Sequence, residues 1–285
     1  MKTVYTNLVI VTIFVGAYIL GSFGAAVSCM SNQNSGKVPL LVLMYHNITA
    51  KPALRGKYCV TVQEFENDLK YLQNNGYTPI SVKQLTAFAH NSAPLPDKPV
   101  IITFDDGYGS FYTYAYPLLE KYDFKAVVNN VGSFTEKYTD LEEQNHPDCH
   151  NPDYCYLTLS EITKLQESGR IEMGCHTYDM HSLGKRKGCG RIKSESPEAY
   201  ETALAEDIAK YRRVMPYSTS IFAYPYGIYS NESPSILRKL GFTAVFDCTE
   251  RMNYIDDKNI DWLFNIHRYN RPSGISSESF FAKIQ

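Results

Sequence analysis

Several apolar runs in this chain end in side chains able to do acid–base or metal chemistry. Val100–Phe104 is followed by Asp105-Asp106-Gly107. Adjacent carboxylates repel unless a proton or cation sits between them, and the glycine allows a turn sharp enough to point them apart. Ile171–Cys175 is followed by His176, with His181 five residues further on. That spacing is not the i, i+4 pair of a helical zinc site, so the loop must fold back for both imidazoles to reach one ion. Two imidazoles and a carboxylate with a fourth position open make a catalytic centre, because a bound water there loses a proton near neutral pH. Ile221–Tyr224 runs into Pro225-Tyr226-Gly227, a rigid turn able to aim a backbone N–H at an oxyanion. The run Leu263–Ile266 ends at His267-Arg268. Singly, these are ordinary Asp-Gly and Pro-Gly turns and surface histidines. Their recurrence at successive run ends is what points to chemistry.

The elements that must position them alternate. Candidate strands are Leu40–Tyr45, Val100–Phe104, Ala126–Val131, Ile171–Cys175, Ile221–Tyr224, Thr243–Phe246 and Leu263–Ile266. Helical periodicity fills the intervals. Thr61 with Glu64, Ser81 with Gln84 and Thr158 with Glu161 have capping-box spacing, Gly76 and Gly169 stand at the expected stops, and Glu198–Val214 is long and amphipathic. About seven βα units without a long linker predict one α/β domain with a parallel sheet. Continuous apolar strands suit a barrel core covered by helices, and such folds do chemistry at the C-terminal ends of their strands. Glu136–Tyr156 is the least regular stretch and reads as an inserted surface loop with no core to bury.

Residues 1–36 differ from the rest. No charge falls between Lys2 and Lys37, and Leu8–Val27 is a 20-residue run broken only by Thr12, Tyr18 and Ser22. Twenty residues at about 1.5 Å each cross a bilayer core, which predicts an apolar helix acting as a membrane anchor or export signal, with the remaining chain outside. Small residues before Cys29 leave cleavage open. Cys59, Cys149, Cys155, Cys175, Cys189 and Cys248 suit an oxidising compartment where disulfides form. Cys149 and Cys155 are the easiest local pair, although the connectivity does not follow from sequence. A zinc knot of His146, Cys149, His150 and Cys155 is the rival reading, and its spacing matches no common structural pattern. With 44% hydrophobic and 20% charged residues, wholesale disorder is excluded. A net charge of −2 without a basic block argues against a nucleic-acid partner.

Thr103-Phe104-Asp105-Asp106-Gly107, then His176-Thr177…His181, then Phe222-Ala223-Tyr224-Pro225-Tyr226-Gly227, with Leu43-Met44-Tyr45-His46 and Gly169–Gly174, together resemble the polysaccharide deacetylases with a NodB-homology domain, carbohydrate esterase family 4. The likeness spans about residues 38–285, and the Ala-Tyr-Pro-Tyr-Gly turn is closest in style to the poly-N-acetylglucosamine deacetylase branch. The resemblance implies a distorted (β/α) barrel over residues 37–285 that removes N-acetyl groups from an N-acetylglucosamine polysaccharide at the outer face of the cell envelope. Asp106, His176 and His181 would hold a divalent metal, most often zinc in this family. Asp105 would be the general base, the Tyr226 N–H an oxyanion donor and His267 the general acid. His46, Tyr224 and Pro225 would contact substrate. The paired histidines are one residue further apart than is usual in the family, and Ala223 stands where many members carry the arginine that orients the base. An O-acetyl esterase and a non-catalytic glycan-binding protein on the same fold are the alternatives.

Overall fold

The computed structural model describes residues 37–284. The run Leu8–Val27, its expected helix and Cys29 lie outside the described residues. The strands are β1 (Val38–Tyr45), β2 (Asn47–Thr49), β3 (Cys59–Thr61), β4 (Thr78–Pro79), β5 (Pro99–Asp106), β6 (Ala126–Asn130), β7 (Ile171–Cys175), β8 (Ile221–Ala223), β9 (Ala244–Phe246), β10 (Asn253–Ile255) and β11 (Tyr269–Asn270). The helices are α1 (Val62–Asn74), α2 (Val82–Ala89), α3 (Tyr116–Lys121), α4 (Gly132–Glu143), α5 (Leu159–Glu167), α6 (Pro197–Val214), α7 (Ser233–Lys239) and α8 (Ser277–Phe281). All three capping boxes form as the spacing predicts, at Thr61, Ser81 and Thr158.

The main sheet has the order β10-β1-β5-β6-β7-β8-β9. Its neighbours are parallel except β10, which runs antiparallel to β1. All eight residues of β5 are buried, as a parallel strand with packing on both faces requires. The two ends of the sheet are joined by one short segment. Ile266 bridges Phe246 of β9, and β11 pairs with Leu43 and Met44 of β1. The result is a distorted barrel with a narrow closure.

Two expectations are corrected. The last strand is not Leu263–Ile266: Asp261–Phe264 is a 3-10 turn that buries Leu263 and Phe264, and sheet pairing begins only at Ile266. A short apolar run can be a buried turn as readily as a strand, since both put apolar side chains in the core. The stretch Glu136–Tyr156 is not a free loop either. Helix α4 runs into it as far as Glu143, a 3-10 turn follows at Pro147–His150, and Cys149, Asp153 and Cys155 are buried. Asp153 anchors it by accepting Thr49 Oγ1 at 3.1 Å and pairing with Lys51 at 2.6 Å. Six cysteines, Cys59, Cys149, Cys155, Cys175, Cys189 and Cys248, are free thiols in this structure.

Past the closure, Arg271 is fully buried against the fully buried Asp68 of α1, with Nε 2.8 Å from Oδ2. Tyr45 and Ser277 also donate to that carboxylate. The pair ties the last strand to the helical layer. Removing one charge of a buried pair strands the other in low dielectric, at a cost of about 3–5 kcal/mol. Asp68→Asn is therefore expected to lower unfolding stability by about that amount. Urea denaturation checks it, and a loss under about 1 kcal/mol would show that the pair is not holding the closure.

Candidate active site

β5 delivers Asp105 and Asp106 to the C-terminal rim of the barrel. Asp105 points into the barrel and is buried, with both oxygens engaged by the fully buried Arg268: Nη1 to Oδ1 and Nη2 to Oδ2, each 2.7 Å. Asn129 of β6 adds a third donor at 2.8 Å. Gly174 of β7 makes room for it, since a Cβ there would lie 2.0 Å from Asn129 Oδ1. Burial alone would raise the Asp105 pKa, but the Arg268 charge and its hydrogen bonds hold the carboxyl well below the usual carboxylate range. Asp105 is thus an ionised, oriented carboxylate at any neutral pH. Arg268 is the residue that sequence reasoning missed. It stands beside the singled-out His267, on the segment that joins β9 to β1, and it supplies an arginine where Ala223 cannot. The signal was a charged residue just past the apolar run Leu263–Ile266, next to a histidine already singled out.

Asp106 takes the opposite direction through a left-handed backbone (φ 70°). His176, one residue past β7, puts Nε2 3.5 Å from Asp106 Oδ1, and His181 puts Nε2 2.9 Å from the same oxygen. The three ligand atoms lie within 4.8 Å of one another, and this is the one such group of His, Cys, Asp or Glu among the described residues. The His176 ring stands 2.9 Å from the Ala223 carbonyl through Nδ1. A carbonyl only accepts, so Nδ1 carries the proton and Nε2 presents a lone pair. Burial pushes the His176 pKa down to about 4 despite both aspartates, which keeps the ring neutral. For His181, burial is outweighed by the bond and charge of Asp106, and its pKa is raised. Asp106 Oδ1 is buried, and the nearest polar groups to it are these two imidazoles. A buried carboxylate oxygen with two imidazole nitrogens converging on it, at 2.9 and 3.5 Å, is the donor set a divalent cation satisfies.

The five-residue histidine spacing works because Thr177 adopts φ 69°, a costly conformation for a β-branched residue. The chain then folds back far enough to bring His181 beside His176. Tyr226 is left-handed too (φ 58°) in the turn after β8, is 43% exposed, and has its hydroxyl 3.1 Å from His181 Nδ1.

A cleft of about 360 Å³ exposes this cluster, and Asp105, Asp106, His176, His181, Tyr226 and His46 all line it. Larger open grooves of about 550 and 490 Å³ lie elsewhere and contain no histidine. His46 Nδ1 is buried without a partner, its ring rests 4.7 Å from the half-exposed Tyr58, and burial lowers its pKa. His267, by contrast, is not among the cleft-lining residues, and its Nδ1 is held 2.9 Å from Asp247 Oδ2. Tyr224 is fully buried and stacked on Tyr229, with Pro225 buried beside it, so neither lines the cleft.

The family model "Polysaccharide deacetylase" matches residues 92–245, more than half of the chain. The poly-β-1,6-N-acetyl-D-glucosamine N-deacetylase of Escherichia coli (strain K12) is 25% identical over 251 residues, covering 82% of this chain and 37% of that protein. The chain therefore spans little more than a third of that curated relative. The protein of the same name from Staphylococcus aureus (strain MRSA252) is 27% identical over 202 residues, covering 68% of this chain and 62% of its own. Among solved structures, the Streptococcus pyogenes deacetylase PplD in complex with acetate superposes with a TM-score of 0.66 at 23% identity, over 87% of this chain and 99% of that one. At that identity the likeness bears on the fold.

His176→Ala removes one of the three candidate ligands, so divalent-metal content after dialysis is expected to fall to near zero, measured by elemental analysis. Full occupancy would overturn the grouping. In Arg268→Met, Asp105 keeps its burial but loses the opposing charge, so its pKa rises. Ionised throughout the acid range in wild type, Asp105 then gains its proton as pH falls, so any rate that needs the ionised carboxylate falls off at a higher pH. A pH–kcat profile unchanged from wild type would contradict this.

Proposed function

The chain belongs to the polysaccharide deacetylase family, and from that premise we propose that it removes N-acetyl groups from an N-acetylglucosamine polymer and releases acetate. The observation that carries the reading is the convergence of Asp106, His176 and His181 on one point beside an ionised Asp105, in a cleft open to a polymer. The names of the Escherichia coli and Staphylococcus aureus relatives support a β-1,6-linked substrate, as does the Ala223-Tyr224-Pro225-Tyr226-Gly227 turn. Two imidazoles and one carboxylate suit zinc.

A divalent ion in that site would lower the pKa of a water and polarise the amide carbonyl. The residues do the rest. Asp105, fixed by Arg268 and Asn129, takes a proton from the attacking water. The Tyr226 N–H faces the oxyanion of the tetrahedral intermediate, a contact worth about 3–4 kcal/mol per donor. Breakdown needs a proton on the leaving amine. We assign that donor to His46, which lines the cleft with a free ring nitrogen, rather than to His267, which is tied to Asp247 outside it. Residues 37–285 form the catalytic domain in this reading. Residues 1–36 direct it to the outer face of the envelope, as a retained anchor or an export signal. Among the described residues no helix is long and apolar enough to cross a membrane, so anchoring would fall to Leu8–Val27.

Asp105→Asn is expected to lower kcat by about 10²–10⁴-fold, the usual contribution of a general base, while the bound metal stays. Acetate release from β-1,6-linked N-acetylglucosamine oligomers, run beside acetylated xylan and with chelator, is the assay. Activity on xylan alone would favour the O-acetyl esterase, and no acetate from either would favour a glycan-binding role.

A further inference from the structure

The loop that carries His181 is braced by a residue with no part in the chemistry above. Asp207 sits on α6 with 8% of its surface exposed, and it forms no ion pair among the described residues. Its two oxygens are taken up by successive backbone groups instead: Tyr178 N–H donates to Oδ2 at 2.7 Å and Asp179 N–H to Oδ1 at 2.9 Å. A buried carboxylate satisfied only by main-chain donors is expensive to keep, and here both donors belong to the four-residue link between the paired histidines. The rest of the link is held as closely. Met180 N–H donates to Thr177 Oγ1 at 3.2 Å. The carbonyls of Thr177 and Tyr178 accept Gly132 and Ser133 N–H, in the first turn of α4, at 3.0 and 2.9 Å. Gly132 permits that approach, since a Cβ there would lie 2.9 Å from Tyr178 Cδ2 and 3.2 Å from its Cα.

We propose that Asp207 is a positioning residue for the metal centre, holding the Thr177–Met180 turn folded back so that His181 meets Asp106 and His176 before any ion arrives. The inference rests on the reading of that trio as a metal site. A link one residue longer than the family's usual spacing has an extra pair of torsions to fix. Without the brace, ordering the loop would be charged against metal binding.

The test uses the metal-free full chain and zinc alone, with Kd read by competition against a chromophoric chelator. Asp207→Asn is expected to weaken zinc binding about 10- to 100-fold, the usual effect of losing a group that orients a ligand. Asp68→Asn, which removes a buried carboxylate outside the site, is expected to lower Tm and leave zinc Kd within about twofold; a comparable loss of affinity there would reduce the Asp207 effect to general destabilisation and overturn the proposal. A zinc Kd for folded Asp207→Asn equal to wild type would also overturn it. If wild type itself binds no zinc, the metal-site reading fails first. Should Asp207→Asn not fold, hydrogen exchange of the metal-free wild type decides: the Tyr178 and Asp179 amides are expected to be strongly protected, and exchange as fast as in an open loop would sink the brace.

Discussion

The site depends on one buried interaction, the two-pronged contact of Arg268 with Asp105. Neither charge tolerates the barrel interior alone. Together, with Asn129 and Thr103 taking further hydrogen-bonding positions, they form a satisfied polar core at the rim. The pairing makes Asp105 ionised and immobile, and it pins the segment Ile266–Asn270 between β9 and β1. The orientation of Asp105 and closure of the barrel are therefore the same structural event. A carboxylate held this firmly has a low intrinsic basicity. That suits the proposed reaction, in which a metal would acidify the attacking water and Asp105 would need correct placement more than a high pKa.

Around that fixed point the backbone is strained where the chemistry lies. Asp106, Thr177 and Tyr226 are all left-handed, each within three residues of the C-terminal end of a parallel strand, and Asp106 and Tyr226 line the cleft. Every such residue costs about 1–3 kcal/mol and persists only when its surroundings over-determine it. For Thr177 those surroundings are the first turn of α4 and the carboxylate of α6. For Asp106 they are β6, whose Asn130 pairs with it across the sheet. The helical layer thus supplies the constraint that lets short turns hold unfavourable torsions.

Much of this was legible in the sequence because it is local. Capping boxes, strand cores and the Asp-Asp-Gly and paired-histidine motifs depend on residues a few positions apart, and the structure realises them. Misreadings arose where burial is decided by distant partners. Leu263–Ile266 has the composition of a strand and forms a turn, because sheet pairing waits for Ile266. Glu136–Tyr156 has the composition of a solvated loop, yet it packs through Asp153 against Thr49 and Lys51, about a hundred residues away.

The sequence by itself determined the chemical inventory: which carboxylates and imidazoles end the strands, that a glycine follows the aspartate pair, and that an arginine stands next to His267. Tertiary structure alone decided the assignments. Arg268 reaches Asp105 across 163 positions, His46 faces the cleft while His267 turns to Asp247, and Asp207 comes under the histidine loop from a helix 28 and 29 residues downstream. Side-chain identity is written one residue at a time, whereas burial, and with it pKa and orientation, is a property of what the whole chain brings to one place.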